Sequence, residues 1–242
     1  MATHRRERLD DGIEVLRLDR PAARNALYSV ALDELEAALA ELAADDALRV
    51  LVLSTTSPRA LCAGADVAEA LDERGAVARM QAFARVYSAL TFFPAPTVCV
   101  CVGNVVGAGA ELAAACDLRV GGDNLRLAWP GARLGVPVGP ARLTALVGLA
   151  AAKELVFTGA TVGMERARAL GLLARTAPAQ RAEAAAVDLA RELAVLPPDG
   201  LRALKAAFAQ VTDAAGHVER ENAALVAWQR AGGRIPRGGL RG

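Results

Sequence analysis

The sequence predicts an α/β protein, a layered core that gives way to a helical C-terminal segment. Three observations lead there. Runs rich in Val, Leu and Ile recur at Ile13 to Asp19, Leu48 to Ser54 and Thr97 to Val102, as strands require. Between them lie stretches with apolar residues at helical spacing. From about Gly139 onward the pattern is almost entirely helical. Strands and helices alternating in the first part argue for a layered core.

The elements follow in order. Arg20-Pro21 ends the first strand, and RPAARNAL reads as a loop. Ser29 is a candidate N-cap, and Leu32, Leu35, Leu39 and Leu42 repeat at helical spacing until Asp45-Asp46 breaks the pattern. Leu48 to Ser54 is nearly continuously apolar, as in a strand covered on both faces. Thr55 to Asp66 reads as loop. A helix is expected from about Val67, interrupted at Gly75 and resuming to about Phe93, where Pro94 and Pro96 stop it. Thr97 to Val102 is the third buried strand; a glycine-rich turn and a helix carrying Glu111 come next. Leu118 to Val120 and Leu125 to Ala128 are short strands separated by the turn signal GGDN. Beyond them, Gly148, Gly159 and Gly171 fit helix ends, Thr161 and Asp199 look like N-caps, and Pro197-Pro198 is a hinge. The tail from Gly232 to Gly242 is too glycine-rich and polar to fold alone. The expected division is a core over 1–185 and a helical segment with tail over 186–242.

Composition excludes several classes. The chain has 242 residues, 54% hydrophobic and 23% charged, which suits one compact domain or one large domain with a small appendage. A net charge of +1 and scattered basic residues give no argument for nucleic acid or a membrane surface. The uncharged run from Leu90 to Ala110 contains Pro94, Pro96, Asn104 and glycines, which fit a turn, a strand and a loop better than a membrane helix. Cys62, Cys99, Cys101 and Cys116 form no CxxC pair; buried reduced thiols are expected, with Cys99 and Cys101 on one strand face. His4 and His217 lie near the two ends and are read as surface residues, so no metal site is expected. The charged N-terminus lacks the apolar region of a signal peptide, and a cytoplasmic protein is expected.

The chemistry lies in two turns of small residues. One is GNVVGAGAELAAACD, Gly103 to Asp117, opening into a helix with Glu111 in its first turn; the other is RALCAGAD, Arg59 to Asp66. Small side chains leave backbone N–H groups uncovered. Two such turns with a carboxylate beside them resemble the halves of an oxyanion hole next to an acid/base residue, which points to an activated carbonyl.

These residues resemble the crotonase superfamily, the enoyl-CoA hydratases and isomerases. The resemblance runs from RPAARNAL to about Leu173 through CAGADV, GNVVGAGAELAAACDLRV, PGARLG, AAKELVFTG and ARALGLL in order. It implies a crotonase-like fold of repeated ββα units with a C-terminal helical oligomerisation segment, assembling as a homotrimer or dimer of trimers. It implies an acyl-CoA thioester as substrate, with coenzyme A as part of that substrate and no other cofactor. The N–H groups of Ala65 and Ala108 would hold the thioester oxygen, with Glu111 as acid/base and Ala63, Gly64, Asp66 and Gly107 in the surrounding turns. Arg24, in the RPAARNAL loop, is the candidate for the nucleotide end; Arg234 and Arg237 in the tail are weaker ones.

The sequence departs from the family in one segment. Hydratases carry a second glutamate directly after the proline of PxxxLG, where this chain has Gly131, and the loop after LG is shortened to VPVGPARL. The pocket around Trp129, Gly131 and Arg133 is therefore reshaped. Three readings stay open: a hydratase or isomerase with Glu111 as its single acid/base, a decarboxylase-type acyl-CoA lyase, and a catalytically impaired acyl-CoA-binding protein. Glu69, Asp72 and Glu73 are candidates for a replacement carboxylate.

Overall fold

A computed structural model describes residues 2–235; the candidate Arg237 lies outside them. A six-stranded sheet has the order β1 (His4–Arg8), β2 (Ile13–Leu18), β3 (Val50–Thr55), β5, β7, β9, and a three-stranded sheet has the order β4 (Ala60–Cys62), β6, β8. The remaining strands are β5 (Thr97–Cys101), β6 (Asn104–Val106), β7 (Leu118–Gly122), β8 (Arg126–Ala128) and β9 (Arg175–Ala177). Only β1 is antiparallel to its neighbour; the other pairings within both sheets are parallel. Helix α1 (Ser29–Ala43) joins β2 to β3, α2 (Glu73–Thr91) joins β4 to β5, and α3 (Ala108–Ala115) joins β6 to β7. In the units β3–β4–α2 and β5–β6–α3 one strand adds to the large sheet and the next to the small one, whereas β1 and β2 both belong to the large sheet.

Alternation along the strands explains the two cores. Ile13, Val15, Val50, Val52, Val98 and Val100 face one side of the large sheet; Leu16, Leu18, Leu51, Leu53, Cys99 and Cys101 face the other. The Leu and Cys face packs beneath α1, α2 and α3. The β-branched face is covered by α7 (Ala182–Ala194) through Ala182, Ala186, Leu189 and Ala190. The boundary expected between 185 and 186 thus falls inside α7, a helix that belongs to the core. Between β8 and α7 lie the single turn α4 (Gly131–Leu134), α5 (Pro140–Thr158) and α6 (Met164–Ala169); α8 (Pro198–Val211) and α9 (Ala214–Arg230) complete the chain.

Several expectations are corrected and others are met. The charged segment HRRER is strand β1, an edge strand whose side chains are mostly exposed. His4 is half-buried there, not on the surface. Ser29 is the first residue of α1; its N–H is accepted by the Glu69 carboxylate at 3.0 Å, so a side chain from 40 residues away caps the helix. Helix α2 starts at Glu73, with Asp72 accepting from the Gly75 N–H at 2.7 Å, and Gly75 lies inside its first turn. The mainly helical C-terminal part contains strand β9. Gly163 and not Thr161 precedes α6, and α8 begins at Pro198, before Asp199. Gly148 breaks the helical backbone within α5, and Gly159 ends that helix in the left-handed region. All four cysteines are buried and unpaired, with the Cys99 and Cys101 sulfurs 3.9 Å apart on one face. No helix among the described residues is long and apolar enough to cross a membrane.

Candidate active site

A cavity of about 470 Å³ lies where the small-residue turns meet the C-terminal helices. Arg24, Ala63, Gly64, Ala65, Asp66, Gly107, Ala108, Trp129 and Gly131 line it, so the structure brings nine of the sequence-derived candidates together. The opposite wall is apolar: Met80, Phe83 and Tyr87 come from α2, Val136 and Val138 from the short loop, and Leu225 from α9.

The two turns touch. Gly109 packs so tightly on the end of β4 that a Cβ there would stand 2.2 Å from the Cys62 carbonyl oxygen. Gly64 has φ +110°, and a Cβ on it would lie 3.1 Å from the Val106 carbonyl oxygen and 3.9 Å from the Ala108 nitrogen. These contacts explain why the chain needs glycine on each side of the seam. The N–H groups on either side of it are available. The bridge between Leu27 and Ala65 uses the Gly64 carbonyl at 2.8 Å and the Asp66 N–H at 2.8 Å. The Ala65 N–H has no acceptor among the described residues, and neither does that of Ala108. The Ala108 N–H is one of the first-turn donors that a helix leaves unserved, at its positive end.

The RPAARNAL loop is pinned to this seam by Asn25, which is buried and adopts φ +55°. Its amide donates to the Ala60 and Leu61 carbonyls at 3.2 and 2.9 Å, and its oxygen accepts from the Arg20 N–H at 2.7 Å. The loop thereby presents Arg24 at the cavity, while the Arg24 carbonyl accepts from the Ala63 N–H at 3.0 Å. Arg20 is committed inward, to Asp66 at 2.6 Å and over the Tyr28 ring. Burial pushes the Asp66 carboxyl up. The hydrogen bonds from Arg20 and the Ala68 N–H, with the nearby charges of Arg20 and Arg79, outweigh it and hold Asp66 below its ordinary value.

Glu111 is fully buried and is not among the residues lining the cavity. Both carboxylate oxygens accept: Oε1 from the Trp129 indole at 2.8 Å, Oε2 from Arg142 Nε at 2.7 Å. Arg142 also reaches Glu221 of α9 at 2.6 Å and lies over the Tyr87 ring, 5.0 Å from its centre. Glu221 accepts in addition from the Ala141 N–H at 2.8 Å. Burial pushes the Glu221 carboxyl up, helped by the Glu111 charge; against the pull of Arg142 it rises to about 7. Burial raises the Tyr87 phenol as well.

The sequence reading did not find Arg142, Glu221, Tyr87 or Asn25. Arg133, by contrast, sits off the cavity: it is exposed, and its guanidinium donates to the Thr158 carbonyl at 2.7 Å. The replacement carboxylates are also engaged elsewhere. Glu69 caps α1 and pairs with Arg79 at 3.1 Å, Asp72 caps α2, and Glu69, Asp72 and Glu73 line a separate cavity. Gly131 has no room for a side chain as the loop stands: a Cβ would be 2.8 Å from the Val136 carbonyl oxygen.

Comparison with known proteins places this geometry in a class. Over residues 8–227 the sequence matches the family described as enoyl-CoA hydratase/isomerase. It is 36% identical over 218 residues to the human enoyl-CoA hydratase domain-containing protein 2, mitochondrial, covering 84% of this chain and 73% of that one. It is 33% identical over 204 residues to the 2,3-dehydroadipyl-CoA hydratase of Escherichia coli, covering 83% and 80%. Among solved structures, a probable enoyl-CoA hydratase from Mycobacterium thermoresistibile superposes with a TM-score of 0.83 at 27% identity, covering 96% and 98%. Human mitochondrial delta3-delta2-enoyl-CoA isomerase shares the fold, with a TM-score of 0.85 at 20% identity over 94% and 92%. The chain belongs to the enoyl-CoA hydratase/isomerase family, with the crotonase fold, and is an acyl-CoA-processing protein of that family.

Proposed function

We propose that the chain is an enzyme that stabilises a thioester enolate between the Ala65 and Ala108 N–H groups and moves a proton with Glu111 as its single acid/base. The observation that carries this reading is the pair of N–H donors without acceptors among the described residues, on abutting loops, lining one cavity. Removing a proton alpha to a thioester puts negative charge on the carbonyl oxygen. Loss of one preorganised donor from such a site typically costs about 3–4 kcal/mol of barrier lowering.

One carboxylate suits a proton shuttle better than hydration. In a 3-enoyl thioester it takes the proton from C2, the electron pair forms C2=C3, and the same proton returns at C4 as C3=C4 is lost. Hydration asks for a water to be activated and a proton delivered to C2, work that a second carboxylate would share. Gly131 occupies the position of that carboxylate, and no substitute faces the cavity from Glu69, Asp72 or Glu73. Asp66 does line the cavity but is bound to Arg20. Arg24 at the cavity is the candidate for the coenzyme A phosphates, which belong to the substrate, and no separate cofactor is invoked. Leu204, Phe208 and Val211 on α8 are exposed large apolar side chains, which fit burial in a homotrimer or dimer of trimers. Buried reduced thiols fit a cytoplasmic location.

The test is direct. Purified protein receives crotonyl-CoA, a 3-enoyl-CoA and, in D2O, a saturated acyl-CoA whose alpha protons are followed by mass spectrometry. Isomerisation and alpha-proton exchange are expected, with hydration weak; tight acyl-CoA binding without isomerisation or exchange would reject the reading. That outcome belongs to a second reading, an acyl-CoA-binding protein without chemistry, which one observation favours: Glu111 is enclosed behind the cavity wall with both oxygens engaged.

A further inference from the structure

Behind the cavity wall lies a cluster that joins three helices. Glu111 comes from α3, Arg142 from α5 and Glu221 from α9, and all three are buried, at 0%, 4% and 9% exposure. One guanidinium serves two carboxylates, through different nitrogens: Nε to Glu111 at 2.7 Å and Nη2 to Glu221 at 2.6 Å. The remaining nitrogen, Nη1, is buried without a hydrogen-bond partner among the described residues. An arginine fork is planar and rigid, so two charged partners on separate nitrogens fix its plane. The Tyr87 ring under the guanidinium adds a face contact. The arginine in turn fixes one oxygen of Glu111, while the Trp129 indole holds the other.

Such a cluster is a poor device for stability alone. Buried ion pairs gain little over well-packed apolar residues, because desolvation offsets most of the attraction. Three buried charges with an orphaned nitrogen add to that cost. What the cluster does supply is orientation, at the one carboxylate that lies a single helical turn from Ala108 on the same face of α3.

We propose that Arg142 and Glu221 are positioning residues for Glu111: Glu221 anchors the guanidinium, and the guanidinium holds the carboxylate in a fixed orientation behind Trp129. This assignment rests on Glu111 acting as the acid/base group. It gives α9 a part in the site beyond the Leu225 side chain that it contributes to the cavity wall. The charged and titratable groups facing one another here are Glu111, Arg142, Glu221, Tyr87 of α2 and the Cys62 thiol of β4. Each can respond when one of the others is changed.

The experiment combines kinetics with a reporter that needs no turnover. The chain has two tryptophans, so nitrogen-15 labelling of tryptophan gives two indole N–H signals, and Trp228→Phe assigns them. Arg142→Gln and Glu221→Gln are both expected to shift the Trp129 indole signal and lower its protection from hydrogen exchange. In alpha-proton exchange with an acyl-CoA, Arg142→Gln is expected to lower kcat about 10²-fold with KM unchanged, the order of loss from misplacing a reacting group by about 1 Å. Arg142→Lys keeps the charge without the fork and should restore only part of that loss. Should Arg142→Gln fail to fold, Glu221→Gln carries both measurements. The proposal is overturned if the Trp129 signal stays where it is in the variants, or if it moves while kcat does not. If the wild-type protein exchanges no alpha protons, the acid/base assignment of Glu111 fails on its own, and the indole signal still decides whether Arg142 and Glu221 fix the carboxylate.

Discussion

A carboxylate introduced at position 131 should not by itself make this protein a hydratase. A Cβ on Gly131 would lie 2.8 Å from the Val136 carbonyl oxygen and 3.5 Å from that of Val138. Both obstacles are backbone, in a loop tied down by the Val136 N–H to the Gly131 carbonyl at 2.9 Å and by the Val138 N–H to the Val136 carbonyl at 3.0 Å. Gly131→Glu must therefore move the loop before the carboxylate reaches the cavity. Overpacking of this kind typically costs about 1–3 kcal/mol. For a chain of this length 1 kcal/mol is worth roughly 2–4 °C, so Tm should fall by about 2–12 °C. Gly131→Ala meets the same contact and should lose a similar amount, which separates the backbone clash from the effect of charge. The assay is thermal unfolding alongside hydration of crotonyl-CoA. Gly131→Glu is expected to lower Tm without raising hydration; Gly131→Glu combined with a lengthened 136–139 loop should regain Tm and gain hydration. A single Gly131→Glu variant that unfolds at the wild-type temperature and hydrates crotonyl-CoA faster would refute the steric argument.

The other expectations are quickly stated. Glu111→Gln keeps an acceptor for Trp129 but turns a donor toward Arg142; it should abolish isomerisation and alpha-proton exchange, leave acyl-CoA affinity nearly unchanged by calorimetry, and lower stability by about 1.5–3 kcal/mol. Undiminished turnover would reject its role. Gly109→Ala forces a Cβ toward the Cys62 carbonyl and displaces the Ala108 N–H, so kcat should fall about 10²-fold or more, as for a lost oxyanion donor; unchanged kcat would remove Ala108 from the site. The raised Glu221 carboxyl stabilises the fold most below its unfolded value near 4.5, and that contribution fades as pH rises through about 7. Urea unfolding of wild type against Glu221→Gln should therefore show the wild type losing about 3 kcal/mol relative to the variant across that window, and the opposite slope would contradict the burial argument. Leu204→Glu with Phe208→Glu should reduce the mass seen by light scattering to that of a monomer if α8 is an interface.

The parts of the site that the sequence revealed are those made locally. Two loops of Ala and Gly declare themselves because only small residues permit the close approach seen between Gly109 and Cys62. Glu111 is legible because it sits in the first turn of a helix that follows such a loop. Arg142 and Glu221 are not, since the cluster joins residues 31 and 79 positions apart, and Glu221 stands among Glu219, Arg220 and Asn222, where nothing in the pattern separates a buried charge from an exposed one. The same limit explains α1, whose N-terminus is capped by Glu69 from another loop while Ser29 supplies a cap residue type at the right place. Strand β1 was hidden by its charges, which an exposed edge strand tolerates. The three-residue strands β4 and β6 are too short to show alternation, yet they carry the two loops that matter most.

The glycine at 131 and the course of the loop that follows it go together in the structure. The loop VPVGPARL folds back until Val136 bonds to Gly131, and at that distance no side chain fits at 131. The same loop delivers Gly139 and Pro140 directly into α5, with φ +120° at Gly139, and a Cβ there would be 3.3 Å from the Trp129 ring. Trp129 and Arg142, the two residues that hold Glu111, therefore stand at either end of this segment. On the proposed reading the site works with a single group held by its neighbours, Glu111. The N–H pair of Ala65 and Ala108 lies on the two small-residue turns and not on this loop, so the proposed enolate chemistry would not depend on a carboxylate at 131.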